Sequence, residues 1–267
     1  MSAVIAHRAP LARPSEPVEP VGPPPPTEVA REAPAAGSTR LVNHWVEMAE
    51  WRNDRQLWAF YLTFGRCPEL QAYVQRQQSL LSGLPGLDLV QAPWLHLTVQ
   101  GVAFVDSVDG DAFQTLTTAG ANVAASAPTL ELLVGMAVAE DDSVTMPVRV
   151  NGGMTALRDE LRDAARGALN GAALYALPEP VGGFAPHITI AYARDDSPTV
   201  EEVRARLDGF LEPPLRLEVG SLSLVRLCRG SSRWWWTEEY PLQLTAVEHP
   251  DQPVGPGPHV DGAGPSD

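Results

Sequence analysis

Two tetrads of one form, His96-Leu97-Thr98-Val99 and His187-Ile188-Thr189-Ile190, stand 91 residues apart at matching places in a repeated order of elements. Side chains alternate faces along an extended strand. Each tetrad therefore sets a histidine and a threonine on one face and two aliphatic residues on the other. Such a strand is anchored by its apolar side and polar on its open side. A single histidine placed this way most often serves packing. Two of them, each with a threonine beside it, point to a shared site.

The elements around the tetrads follow from hydrophobic spacing. The short apolar and aromatic run 57–64 reads as a buried strand. Pro68 suits the first turn of a helix whose apolar face is Leu70, Tyr73, Val74, Gln77 and Leu80, ended by Gly83, Pro85 and Gly86. Residues 95–105 form a second strand, and Asp109 or Asp111 caps a helix bearing Phe113, Leu116 and Val123. The second half repeats this order. Strands over 130–138 and 143–150 flank the turn Glu140-Asp141-Asp142, and Leu157, Leu161, Ala165 and Leu169 mark a helix face. A loop with Pro178, Pro180, Gly182 and Gly183 leads into a strand over 187–193. Ser197-Pro198 opens a helix with Val200, Val203, Leu207 and Phe210, its Glu201 and Glu202 near the positive end. Strands near 215–227 and 234–244 close the chain, and 42–52, with Trp45 and Trp51, is a short helix or an ordered lead-in. Strand, helix, H-x-T strand and helix thus occur twice. The expected fold is α+β and bilobal: duplicated units, about 57–127 and about 129–246, related by an approximate two-fold around a central cleft.

The folded part spans 42–246. Residues 1–40 are rich in Pro and Ala, with the run Pro23-Pro24-Pro25-Pro26, and 248–267 are Pro, Gly and Asp. Neither stretch can bury enough apolar surface to offset its ordering entropy, so both are expected to be disordered tails. No secretory signal or membrane-length apolar run is present, which makes the cytoplasm the default compartment. Cys67 and Cys228 read as lone thiols rather than a framework or metal site.

Charge narrows the partner. The net charge is −14, every one of the nineteen basic residues is arginine, and from Gln77 to Val148 there is none at all. A surface gripping long RNA must neutralise several phosphates with clustered cations, which this acidic first lobe cannot supply. A small nucleotide or short oligonucleotide remains compatible. No cofactor fingerprint and no metal-ligand spacing is present, so no cofactor, metal or membrane partner is expected, and the chain is expected to act as a monomer.

Paired histidines suit phosphodiester cleavage. One imidazole takes a proton from the attacking oxygen while the other protonates the departing oxygen on the far side of phosphorus; a pKa near ~6.5 makes both forms accessible near neutrality. Thr98 and Thr189 can donate to the non-bridging oxygens. At this point the motifs W-L-H-L-T-V-Q-G (94–101) and F-A-P-H-I-T-I-A-Y (184–192) resemble the paired signatures of the 2H phosphoesterase superfamily, in its 2′,5′-RNA ligase or cyclic phosphodiesterase branch. The resemblance covers about 43–244. It implies a bilobal fold and metal-free attack on cyclic or linear phosphodiesters, with His96, Thr98, His187 and Thr189 in the catalytic positions.

Trp94 shares the face of His96, where it can stack on a base or simply pack. Tyr192 falls on the opposite face from His187 and reads as core. Arg149, Arg194, Arg226 and Arg229 are candidates to meet phosphate charge, or are solvated surface cations, and Trp234-Trp235-Trp236 packs a terminal strand. The leading expectation is a hydrolase acting on a 2′,3′-cyclic nucleotide, an ADP-ribose cyclic phosphate or a short 2′,5′-linked oligonucleotide. The alternatives are an RNA-end ligase or tRNA-directed activity, or a non-hydrolysing nucleotide-binding module.

Overall fold

The run 57–64 becomes β1 (Leu57–Thr63), which is buried on both faces. Trp58, Phe60 and Leu62 enter the main core, while Leu57, Ala59 and Tyr61 join a smaller cluster with Trp51, Val225, Leu227 and Trp236. A strand apolar on both sides must be covered on both, so β1 is central. The computed structural model describes residues 40–151, 153–176, 183–194 and 198–246. The expected tails lie outside these apart from Arg40, which bridges to Thr199; Pro178, Pro180, Gly182 and Ser197 also lie outside them.

Helix α1 (Pro68–Leu80) opens on its proline and buries Leu70, Tyr73, Val74 and Gln77. It is followed by β2 (Leu87–Leu89), a strand too short to show a period in sequence, and then by β3 (His96–Phe104). The Asp109 carboxylate caps α2 (Gly110–Ser126), accepting from the Ala112 amide at 2.8 Å. The strand expected over 130–138 is broken into β4 (Leu130–Val134) and β5 (Val138–Ala139), both paired with β6 (Ser143–Asn151). The break falls at Gly135, where a Cβ would lie a tight 3.2 Å from Pro147. Helix α3 (Met154–Ala168) buries Leu157, Leu161 and Ala165, and β7 (His187–Ala193) carries the second tetrad. Helix α4 (Val200–Leu207) is capped by Thr199, which forms a reciprocal capping box with Glu202. Phe210 falls beyond its end. The chain closes with β8 (Leu215–Val219), β9 (Ser221–Arg229) and β10 (Trp234–Gln243).

These strands form two sheets, one ordered β10-β9-β1-β3 and the other β2-β7-β6-β4-β8 with β5 also on β6. Every pairing between these strands is antiparallel. The division expected near residue 128 is therefore corrected. Strand β2, from the first half, completes the second sheet, while β9 and β10, from the end of the chain, complete the first. A two-stranded β1–β3 pair would be marginal alone, and the β9–β10 hairpin gives it the width it lacks. The apolar run 215–227 is accordingly two strands, parted at Gly220, which enter different sheets. The alternating burial of β8 fits an edge, and the double-sided burial of β9 fits an interior position.

The lead-in is ordered but mostly extended. Leu41, Val42 and His44 donate amides to Pro198, Asp141 and Ala193 along the second sheet. The segment ends in a 3-10 turn, Ala49–Asp54, that drives Trp51 into the first sheet's aromatic cluster. Both cysteines are free. Among the described residues no helix is long and apolar enough to cross a membrane.

Candidate active site

Strand β3 forms an edge of the first sheet and lies beside β7 of the second. Both tetrads carry a β-bulge at the same position. In β3, Thr98 pairs with Tyr61 and Gln100 with Phe60, leaving Val99 as the extra residue. In β7, Thr189 pairs with Thr145 and Ala191 with Val144, leaving Ile190 extra. A bulge takes a carbonyl out of the ladder, and a buried carbonyl needs another donor. Val99 O receives Arg158 Nε at 2.9 Å; Ile190 O receives the Val90 amide and Gln78 Nε2, both at 2.9 Å. Arg158 also lies over the Phe184 ring at 4.4 Å, so one buried side chain touches the bulge of the first motif and the approach to the second.

Each histidine is oriented by its own chain. His96 Nδ1 lies 2.8 Å from Trp94 O, and His187 Nδ1 lies 2.9 Å from Ala185 O. A carbonyl only accepts, so Nδ1 carries the proton in both rings and Nε2 is the acceptor when the ring is neutral. His96 is half-buried, stacked flat on Tyr61 at 4.3 Å and 2°, with Trp236 edge-on at 6.0 Å. Its pKa is lowered from 6.5 to about 4: burial is the main cause, the Trp94 carbonyl opposes it, and the charge of His187 lowers it further. His187 is exposed. The Trp236 indole is fixed by Glu239, which also accepts from Thr63 and Ser223.

Thr98 and Thr189 are half-buried, each beside a buried tyrosine. Burial pushes the Tyr61 and Tyr192 phenols up, opposed by the Thr98 and Thr189 side chains respectively. Simple alternation had put Tyr192 opposite His187. The bulge at Ile190 shifts the phase by one residue and returns Tyr192 to the histidine's side, where it packs on His44 at 4.2 Å. His44 in turn accepts from the Trp234 indole at 2.9 Å and donates Nδ1–H to Asp142 at 2.8 Å.

A cavity of about 500 Å³ opens beside His96, lined among others by Asp88, Gln91, Trp94, Tyr192, Arg233 and Trp235. Trp94 therefore stands where a ring could stack, with its other edge against Trp236 at 4.9 Å. The arginine here is Arg233, over Trp235 at 5.1 Å, which sequence reasoning passed over because it lies in a hairpin. Of the four arginines expected to meet phosphate, two are corrected. Arg226 pairs in register with Trp58, on the face away from the site, and is bound by Glu238 and Gln56 at 2.6 Å each. Arg229 donates to the carbonyls of His44 and Val46, securing the lead-in. Arg194 lies 3.7 Å from Asp88 at the rim, and Arg149 is exposed on β6.

The fold has solved counterparts. TT0787 of Thermus thermophilus is 19% identical, with 73% of this chain and 100% of that chain covered and a TM-score of 0.51. LigT of E. coli, in a structure complexed with NADP+, is 19% identical, with 72% and 99% covered and a TM-score of 0.51. No curated protein matches in sequence. The sequence profile of the 2′-5′ RNA ligase superfamily matches residues 68–230, more than half of the chain and inclusive of both H-x-T strands. With the profile and the two-sheet fold in agreement, the chain belongs to the 2′-5′ RNA ligase superfamily, the 2H phosphoesterases.

Proposed function

We propose that the chain is a metal-independent phosphodiesterase acting on a small cyclic or 2′,5′-linked nucleotide phosphodiester. The observation that carries this reading is the matched pair of imidazoles, each with Nδ1–H committed to a carbonyl two residues earlier. Nε2 of each ring has no partner among the described residues and is available for proton transfer. His96, held neutral by its surroundings, takes the proton from the attacking oxygen. His187, exposed and able to take a proton from solvent, delivers one to the leaving oxygen. Thr98 and Thr189 donate to the non-bridging oxygens, and the cavity beside His96 receives the nucleoside, its volume being ordinary for a small-molecule site. Binding of a nucleotide by the related LigT is in keeping with this assignment.

The test is a panel of 2′,3′-cyclic mononucleotides, ADP-ribose cyclic phosphate and 2′,5′-dinucleotides, with products resolved by phosphorus NMR. Turnover of at least one is expected; tight binding with no turnover of any would favour a binding module. Activity is expected to survive excess EDTA, because protons move through the histidines. Loss in chelator with recovery on adding a divalent ion would contradict this. Among the described residues no group of three His, Cys, Asp or Glu side chains is placed to hold a metal.

The pH dependence has a definite sign. In the free protein His96 is neutral above about pH 4 and so can act as a base well below its ordinary 6.5. The acid limb of kcat/KM, which reports the free enzyme, is expected nearer 4 than 6.5. An acid limb at or above 6.5 would remove His96 from the role of base.

A further inference from the structure

We propose that Arg149 and Arg216 form a second phosphate subsite beside His187, so that the preferred substrate is a short oligonucleotide carrying one more phosphate than the scissile one. The inference rests on the phosphodiesterase reading above and deepens it.

The placement follows from strand register. Pro147 of β6 pairs with His187, and the Val148 amide donates to Pro186 O at 2.9 Å, so the approach to His187 runs along β6. Met146 and Val148 are buried in the core, so Pro147 and Arg149 share the opposite face, which is the face of His187 and Thr189. Arg149 pairs with Leu133 of β4, and Leu133 pairs with Arg216 of β8. The three make one cross-strand row two residues, or roughly 7 Å, beyond the row of His187; Arg149 is on the strand next to β7, and Arg216 stands two strands further, roughly 10 Å from it. Both guanidiniums are exposed, and neither has a hydrogen bond or ion pair among the described residues.

In a chain with fourteen more acids than bases, several other arginines are held by carboxylates. Arg55, Arg76 and Arg226 are paired with Asp106, Glu212 and Glu238, and Arg194 lies near Asp88. The acids on the same face, Glu131 and Glu218, pair with each other one row further from His187. The sheet face therefore runs from histidine to arginine to glutamate. A guanidinium fork recognises phosphate by paired hydrogen bonds, and an acidic row repels it. Space and charge fit one additional phosphate and oppose a third, which sets a short oligomer apart from long RNA. The nucleoside cavity beside His96 and the arginine row beside His187 then flank the scissile phosphate on its two sides.

The experiment compares a 2′,3′-cyclic mononucleotide with a dinucleotide ending in a 2′,3′-cyclic phosphate, using the full chain and its Arg149→Gln/Arg216→Gln variant. The dinucleotide-to-mononucleotide ratio of kcat/KM is expected to fall about 10–100-fold in the variant, the scale of lost charge-assisted hydrogen bonds. The variant should also show a shallower loss of dinucleotide activity with added salt. An unchanged ratio, or equal losses on both substrates, would overturn the subsite. Fluorescence anisotropy of a labelled dinucleotide of this kind separates this from failure of the catalytic reading. If the wild type turns over nothing, weaker binding by the variant still supports the arginine row, and equal binding rejects it. Thermal midpoints of the wild type and of each single Arg→Gln variant check folding, and a single variant is used if the double one is unstable.

Discussion

Replacing His96 or His187 with Ala is expected to lower kcat by roughly 10²–10⁴-fold, the usual scale for losing a positioned proton-transfer group. The two losses should not add. Base and acid act on one transition state, so the double variant should be little worse than the worse single one. Folding should survive, because the strands are held from the other side: Leu97, Val99, Ile188 and Ile190 are each 0% exposed. His96→Ala removes the ring stacked on Tyr61 and should lower the thermal midpoint slightly more than His187→Ala, whose side chain is exposed. Single-turnover kinetics on the preferred panel substrate, with circular dichroism to verify fold, decides the matter. Full turnover in either folded variant would sink the mechanism.

The second large effect is expected at the threonines. Thr98→Ala and Thr189→Ala each remove one donor to a developing charge, and kcat should fall by about 10²-fold, the lower end for a group of this kind, since the other threonine remains. The tyrosines behind them give a finer test. Tyr61→Phe and Tyr192→Phe keep the ring that packs on His96 or His44 and remove only the hydroxyl beside each threonine. Burial keeps both phenols protonated through the working range, and each shares a hydrogen bond with its threonine that fixes how the threonine hydroxyl is turned. A fall of about 5-fold in kcat is expected, with KM little changed, as fits one neutral hydrogen bond. If both Phe variants match the wild type while the Thr→Ala variants lose activity, the tyrosines act through ring packing alone.

The family and the residues of the candidate site were legible in the chain because they are local. A four-residue H-x-T-x unit fixes which side chains share a strand face, and the helices reveal themselves through apolar spacing and caps such as Asp109. What lay beyond reach is non-local. The sheets exchange strands, since nothing within 221–243 says that it will pair with β1 some 160 residues earlier. The face of Tyr192 was misread because alternation assumes an unbroken ladder, and the bulge at Ile190 exists only through the strand it pairs with. Arg226 and Arg229 carry the charge that suits phosphate, but charge carries no direction: register turns one toward Glu238 and the lead-in claims the other. Periodicity and residue chemistry set what each segment can be. Pairing partners and register depend on contacts made only when the chain has closed on itself.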